Sequence, residues 1–323
     1  RCIRITIKLT DMTGYLLLLS KVVDSIALLV VSGPLQIERL WQFTNFTGPT
    51  GGDVWPKVSS EWAFLLGLLL PIYTITGYDA SAHTAEETKN AAMSVPQGII
   101  SAVFWSSIVG WVMICSVTLA IPDMATAASQ GWGMFFHTMD AIMPAGLKTV
   151  LYLGILIAQL ICGLATVTSA SRMLFAFARD DGMPVGSKAL SSVSPKYRTP
   201  VTAIWTATVL CILYVVLAMS IKVGGTSIYV IVVNSTLVFL FLSFTIPLVA
   251  AMLAYGGPKW PKAGPWNIGD GLYRLVTVLA VVGMGVILFI AVAPPNERVL
   301  YVVLGFLVLA LILWFAVENR RFE

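Results

Sequence analysis

Charged residues are scarce in this sequence. Aspartate, glutamate, lysine and arginine make up 11% of its 323 residues, while hydrophobic residues make up 58%. An ordinary globular domain has about 25% charged residues. So few charges cannot cover a surface that faces water, which excludes an ordinary soluble globular protein. The net charge of +4 is dispersed along an apolar chain, and we expect no nucleic-acid partner.

Cysteine and histidine are also rare, with four and two copies. Three of the cysteines lie inside apolar runs, and neither they nor His83 and His137 have the spacing of a metal site. The sequence therefore predicts no metal and no cofactor. It also contains no recognisable catalytic triad or pair of carboxylates in a pocket, so we expect no enzyme activity.

Long, continuous apolar runs dominate the chain. A helix needs about 20 apolar residues to cross a bilayer, and continuous runs, unlike alternating ones, exclude barrel strands. The sequence therefore predicts an all-α polytopic membrane protein with about eight transmembrane helices. The qualifying runs are residues 13–33, 60–83, 97–121, 145–178, 201–221, 227–254, 271–293 and 298–316.

The distribution of lysine and arginine predicts the orientation. With eight spans both ends lie on one side, and that side collects 14 of the 20 lysines and arginines, against 5 on the other side and Lys21 inside a span. Cytoplasmic loops are enriched in these residues, so both termini are predicted to be cytoplasmic, in a plasma or bacterial inner membrane. The opposite side then holds the segment 34–59 and, at 122–144, a short interfacial helix. The run at 145–178 is expected to extend into the cytoplasm.

Polar residues interrupt the second apolar run near its end. The segment 69–90, LLPIYTITGYDASAHTAEETKN, begins as a membrane helix and then contains Gly77 and Asp79. Glycine costs about 1 kcal/mol inside a helix, and a charged aspartate at the membrane centre costs about 2.5–3.5 kcal/mol. Both are tolerated where a broken helix lines a watery cavity, as in many transporters. The alternative is a helix end that emerges into the cytoplasm.

The same segment carries a family resemblance. TITGYDASAHTAEETKNA, followed by VPQGI, closely resembles the sixth helix and following loop of the amino acid, polyamine and organocation (APC) transporter superfamily, in the branch that contains GABA and choline permeases. Further matches in the expected order are RITIKLTDMTGYL at the start, SASRMLFAFARDDGMP at 169–184, SPKYRTPV at 194–201 and GPWNIG at 264–269.

The resemblance implies an inverted-repeat, broken-helix transporter fold. The eight runs then correspond to helices five to twelve of twelve. Residues 1–323 would form a single transmembrane transporter domain, with the remaining core helices at 13–254 and two extra C-terminal helices at 271–316. The resemblance also implies that the domain is N-terminally incomplete, because helices one to four are absent, and that the chain does not transport as it stands.

The resemblance further implies a substrate site at the break in the sixth helix. Tyr73 occupies the place of an aromatic gate, and its ring face would attract an ammonium group; an ordinary packing tyrosine is the alternative. Asp79 lies where some relatives have a carboxylate linked to proton sensing; a permanently ionised acid is the alternative. The implied substrate-binding residues are Tyr73, Ile75, Thr76, Gly77, Tyr78, Asp79 and Ala80.

Lys21 is a second ionisable residue inside an apolar run, and Asp24 follows on the same helical face. Ionisable residues inside a membrane are functional candidates by default. In some proton-coupled relatives a lysine of the fifth helix stands in for a sodium ion, so the resemblance implies that Lys21 and Asp79 take part in proton coupling. A static ion pair between Lys21 and Asp24 is the alternative.

Two further sets of polar residues are candidates. Hydroxyl groups of the eighth helix help to bind sodium in sodium-coupled members of this fold, and here they would form a polar site or simply bond back to their own helix. These residues are Thr166, Thr168 and Ser169. Four charged residues would form a cytoplasmic gate of ion pairs or, alternatively, a solvated face. They are Glu86, Glu87, Arg172 and Arg179.

The leading functional hypothesis is proton-coupled transport of an amino acid or a related amine, such as GABA or choline, across a lipid bilayer. Exchange of one amino acid for another without net proton movement is the alternative within transport. From a different class, a truncated chain would be a non-transporting remnant or a sensor that binds amino acids or partners.

Overall fold

The computed structural model describes residues 2–183, 185–220, 222–223, 226–258, 260 and 262–318. These residues are mostly helical. The helices are α1 (Cys2–Val31), α2 (Ser60–Gly67), α3 (Leu69–Thr74), α4 (Ala80–His83), α5 (Ala91–Ala120), α6 (Met124–Ser129), α7 (Met134–Ile142), α8 (Ala145–Arg179), α9 (Ser187–Leu190), α10 (Val201–Ser220), α11 (Ile228–Ala254), α12 (Asp270–Val292) and α13 (Glu297–Leu313).

Shorter elements connect these helices. Two strands, β1 (Lys222–Val223) and β2 (Thr226–Ser227), pair antiparallel. A π-helical turn at Trp314–Glu318 continues α13. Single 3₁₀ turns are present at Ile37–Leu40, Gly48–Gly51, Ala85–Glu87 and Gly131–Gly133.

Seven helices of the described chain are long and apolar enough to cross a membrane. They correspond to seven of the eight predicted runs, so the chain is a multi-pass integral membrane protein. Their bounds are Gly14–Val31, Ala91–Ala120, Ala145–Arg179, Val201–Ser220, Ile231–Ala254, Asp270–Val292 and Glu297–Ala316.

The remaining predicted run, 60–83, is the second along the chain and is not a single helix. The number of long helices is therefore seven in the described chain and not eight as expected. The run is divided into α2, α3 and α4. Pro71 accounts for the first division, because it has no N–H to bond the carbonyl of Gly67, where α2 ends. The hydrogen bond from Leu68 N to Leu65 O, 3.1 Å long, tightens the chain there into a 3₁₀ turn.

Helix α8 is longer than one membrane crossing requires. Its 35 residues extend over about 52 Å at 1.5 Å per residue, whereas the hydrocarbon core is about 30 Å thick. The segment 122–144, for which we expected one short interfacial helix, contains two, α6 and α7. Asp123 starts α6 by accepting hydrogen bonds from the backbone amides of Ala125 and Thr126.

Large apolar side chains cover the outer faces of the long helices. Trp111 on α5 is 70% exposed, and Leu160 on α8 is 67% exposed. A soluble protein rarely exposes apolar patches of this extent, so these faces are suited to contact with lipid.

The chain divides into two compact units. The first comprises Arg1–Tyr78, Ile100–Ser169 and Pro195–Thr199. Its core joins side chains of α1, α5, α7 and α8 and of the connection between α7 and α8, and these are wholly or almost wholly buried. The core residues are Leu28, Val117, Ala120, Met139, Met143 and Leu151.

A closed loop between α1 and α2, which we call the clip loop (residues 45–58), belongs to the first unit. The amide of Asn45 donates to the carbonyl of Val58 at 2.8 Å, and Gly48 N donates to Trp55 O at 2.9 Å. Trp55 lies edge to face with Trp132, with 5.5 Å between the ring centroids. The clip loop is therefore held to the segment that connects α6 and α7.

The second unit comprises Asp79–Ile99, Ala170–Ser194 and Pro200–Glu323. In it α11 packs against α12 and α13, and a small core joins Ala178, Leu190 and Ala203. Tyr255 and Tyr273 stack with 4.3 Å between their ring centroids.

Candidate substrate and gating site

The helical hydrogen bonding of the 60–83 run stops at the residues that the sequence marked. Helix α3 ends at Thr74, α4 begins at Ala80, and residues 75–79 between them are not helical. Gly77 has a φ of +90°, a conformation that glycine adopts far more readily than residues with a Cβ. The helical run is therefore interrupted over five residues around Gly77.

Local hydrogen bonds shape this break. The amides of Ile75 and Thr76 bond to carbonyls three residues back, at 3.3 and 3.2 Å, in place of the regular α-helical spacing of four. The hydroxyl of Thr76 also donates to the carbonyl of Tyr73 at 2.7 Å. The hydroxyl hydrogen of Thr76 is thus donated to the backbone of the preceding turn.

Tyr73 lies on the last turn of α3, and 42% of its surface is exposed. Ile75, Thr76 and Tyr78 are half-buried, whereas Gly77 is exposed. The break therefore presents the aromatic ring of Tyr73 and an exposed stretch of backbone beside it.

Asp79 has a partner that the sequence analysis missed. Its Oδ2 lies 3.2 Å from Nε2 of His83, one helical turn later, and the two side chains are 22% and 31% exposed. The spacing of four residues was visible in the sequence and is the spacing at which helical side chains meet. The carboxylate and the imidazole together span α4.

The four candidate gate residues form two ion pairs inside the second unit. Arg172 Nε lies 2.9 Å from Glu87 Oε1, and Arg172 Nη2 lies 3.0 Å from Glu87 Oε2. The guanidinium therefore donates a hydrogen bond to each carboxylate oxygen. Arg179 Nη1 lies 3.1 and 3.0 Å from the two oxygens of Glu86. We call these four residues the charge cluster.

The second pair of the charge cluster is shared and more exposed. Arg179 Nε also lies 3.1 Å from Asp180, and the side chains of Arg179 and Glu86 are 43% and 71% exposed. Arg172 is only 21% exposed. Screening by water and salt is therefore weaker for the pair of Arg172 with Glu87.

Lys21 and Asp24 do not form the ion pair that was the alternative for them. Asp24 is buried, with 6% of its surface exposed, and Lys21 is half-buried. No nitrogen-to-oxygen distance of 4.0 Å or less joins the two in the structure. The carbonyl of Lys21 instead accepts a hydrogen bond from Ser25 at 2.7 Å.

The hydroxyls of α8 bond to their own helix. Thr166 donates to the carbonyl of Cys162 at 3.0 Å, and Thr168 donates to the carbonyl of Leu164 at 2.8 Å. This is the alternative that the sequence analysis left open for them. Ser169 is half-buried on the same helix.

Comparison with known proteins identifies the class to which this fold and site belong. Residues 1–317 match the family described as "Amino acid permease". The chain is therefore a member of the amino acid permease family, whose proteins are membrane transporters and not enzymes. The expected family is confirmed.

Individual relatives agree with this assignment. The chain is 32% identical to the amino-acid permease BAT1 homolog of Oryza sativa subsp. japonica, over 70% of this chain and 43% of that protein. It is 29% identical to the amino-acid permease BAT1 of Arabidopsis thaliana, over 90% and 57%. A GABA-specific permease of Saccharomyces cerevisiae is 35% identical over 47% and 27%. The chain spans about half the length of the two plant relatives.

Proposed function

We propose that the protein containing this chain carries amino acids or related amines across a membrane, driven by protons. The break between α3 and α4 carries the proposal, because it exposes backbone and the ring of Tyr73 near the end of an otherwise apolar run. A bound amino acid would place its ammonium group against the ring face of Tyr73. The exposed backbone at Gly77 would bind its polar atoms.

Proton coupling requires a group whose protonation favours one state of the transporter over the other, because a ligand that binds both states equally shifts nothing. Asp79 adjoins the break, and Lys21 is an ionisable residue that no carboxylate within 4.0 Å neutralises in the described structure. We assign proton coupling to these two residues. The hydroxyls of Thr166 and Thr168 donate to their own helix and keep acceptor lone pairs, which would accept a hydrogen bond from the Lys21 ammonium.

The charge cluster would act as the cytoplasmic gate. Its two glutamates follow α4 after Thr84 and Ala85, and their ion pairs join this segment to the C-terminal part of α8. Because the paired side chains are partly exposed, each pair is expected to be weak enough to break and re-form in each cycle. This assignment places both ends of the chain in the cytoplasm, in accord with the distribution of lysine and arginine.

Transport is tested in proteoliposomes made with the product of the complete coding sequence that contains this chain. Uptake of labelled GABA, choline and a panel of amino acids is measured with and without an inward proton gradient. We expect uptake that the gradient drives and that Lys21→Ala abolishes. Lys188→Ala is the matched control, since Lys188 is exposed and lies outside the spans.

Other outcomes distinguish the alternatives. Uptake that ignores the gradient but requires substrate inside the vesicle would identify an exchanger. Absence of uptake for every compound, with a well-folded protein, would reject transport and favour a sensor.

A further inference from the structure

The pair formed by Asp79 and His83 has a consequence for pH dependence. Both side chains belong to the second unit, and their 3.2 Å contact closes one turn between the break and the charge cluster. Histidine is the side chain whose ordinary titration falls near neutral pH. We propose that His83 is a positioning residue for Asp79, which holds the carboxylate against α4 more firmly when the imidazole is protonated than when it is neutral. This inference rests on the proposed function, because it concerns the carboxylate assigned there to proton coupling.

The hydrogen bond supplies the physical basis. A neutral imidazole can donate one hydrogen bond to the carboxylate, whereas an imidazolium adds a charge, and charge-assisted hydrogen bonds are roughly twice as strong as neutral ones. The two side chains are 22% and 31% exposed, so water screens the added attraction only in part. The contact is therefore stronger with an imidazolium than with a neutral imidazole.

The charged groups of the neighbouring 3₁₀ turn are already engaged in ion pairs. The 3₁₀ turn Ala85–Glu87 packs against α4 and supplies Glu86 and Glu87, whose carboxylates are bound by arginines of α8. Helix α5 also approaches α4, because a Cβ added at Gly98 would lie 3.2 Å from the Ser81 hydroxyl. The first turns of α5, AAMSVPQGI, contain no titratable side chain. Asp79 is thus the acid that His83 contacts directly.

The chain links this pair to the gate. His83 is followed by Thr84, whose hydroxyl donates to the carbonyl of Ser81 at 3.2 Å and whose own carbonyl accepts from Thr88 at 2.8 Å. Glu86 and Glu87 lie between these residues. A change in how firmly α4 is held would therefore reach Glu86 and Glu87 of the charge cluster through the short segment that begins at Thr84.

The test measures initial uptake between about pH 5.5 and pH 7.5, a range that brackets the ordinary titration of histidine. His83→Gln retains a hydrogen-bond donor without the charge, and His83→Arg retains the charge at every pH. We expect the change in initial uptake across this pH range to be roughly fivefold smaller in both variants than in the unmodified protein. Fivefold is the ratio expected between a charged and a neutral hydrogen bond. His137→Gln is the control, because His137 lies on α7 in the first unit, and it should keep the full pH profile.

A second measurement does not depend on transport. The midpoint of thermal unfolding in detergent is compared at the two ends of that pH range for the unmodified protein, His83→Gln, Asp79→Asn and the double variant. We expect each single variant to lose the same part of the pH dependence of the thermal midpoint. The double variant should lose no more than that, because coupled residues are non-additive. Identical pH dependence of uptake and of unfolding in His83→Gln and the unmodified protein would overturn the inference while leaving transport intact. Absence of uptake by the unmodified protein would reject the proposed function instead.

Discussion

Arg172 and Glu87, which lie 85 residues apart in the sequence, meet through two nearly parallel hydrogen bonds of 2.9 and 3.0 Å. This two-point geometry is specific to arginine, because lysine presents a single ammonium group. We expect Arg172→Lys to retain the charge and lose the second bond. Its thermal midpoint in detergent should fall between those of the unmodified protein and Arg172→Gln.

The same pair should show its coupling in a double-mutant cycle. Glu87→Gln and Arg172→Gln combined should destabilise less than the sum of the single changes, by about 0.2–1 kcal/mol, and this difference should shrink at high salt. Lys188→Gln serves as the exposed control. Strict additivity at low salt would contradict the pair as an energetic unit.

Gly77 should not tolerate a side chain. A Cβ there would meet nothing within 4 Å, so the penalty comes from its φ of +90° alone. Left-handed backbone costs an ordinary residue about 1–2 kcal/mol, and we expect Gly77→Ala to reduce uptake by about tenfold. Gly154→Ala on α8 is the matched control, since a Cβ there also has open space and its φ is not in the left-handed range. Equal uptake by the two variants would show that the break does not need this conformation.

Sequence and structure agree where composition alone decides. Long apolar runs predict membrane helices because hydrocarbon accepts little else, and seven of the eight predicted runs are single long helices. The break near Gly77 was also predictable, because a glycine and an aspartate within a few residues disfavour a buried helix. The division at Leu68 was missed, although Pro71 and the missing bond to Gly67 would have predicted it.

The sequence could not show which charged residues pair. Glu86 and Glu87 are adjacent, and either one could have met Arg172, because the register between two distant segments depends on how the helices pack. The contact of His83 with Asp79 was missed for a different reason. Its four-residue spacing is informative only inside a helix, and Asp79 is among the residues expected at the break.

The clip loop depends on a glycine for a steric reason. A Cβ on Gly51 would lie 2.0 Å from the carbonyl oxygen of Phe46, a clash with backbone that cannot be relieved by a rotamer change. We expect Gly51→Ala to open the clip loop and to speed chymotrypsin cleavage at Phe46 and Trp55 by more than about tenfold, the factor that corresponds to 1.4 kcal/mol.

Gly133 offers the matched control for that experiment. It lies in the neighbouring 3₁₀ turn with a φ of −83°, and a Cβ there would have open space. Gly133→Ala should therefore be cleaved at the rate of the unmodified protein. Equal resistance of Gly51→Ala would show that the clip loop does not need its close approach of Gly51 to Phe46.

Asp123 should make the start of α6 sensitive to acid. Hydrogen bonds from the hydroxyl and the backbone amide of Thr126 hold the pKa of this carboxyl below its ordinary value, and the charge of Arg39 lowers that pKa further. Because the unfolded chain binds this proton more readily, the stabilisation is present above the ordinary carboxyl pKa and is lost as the pH falls through the lower folded value. The thermal midpoint should therefore drop as the pH falls below about 4, the ordinary aspartate value. Asn is a comparable N-cap that does not titrate, so Asp123→Asn should remove part of that drop while keeping the midpoint at neutral pH nearly unchanged. Asp123→Ala should lower the midpoint at neutral pH, because it removes the N-cap. If the midpoint of Asp123→Asn falls in acid as steeply as that of the unmodified protein, the acid sensitivity belongs to other carboxylates.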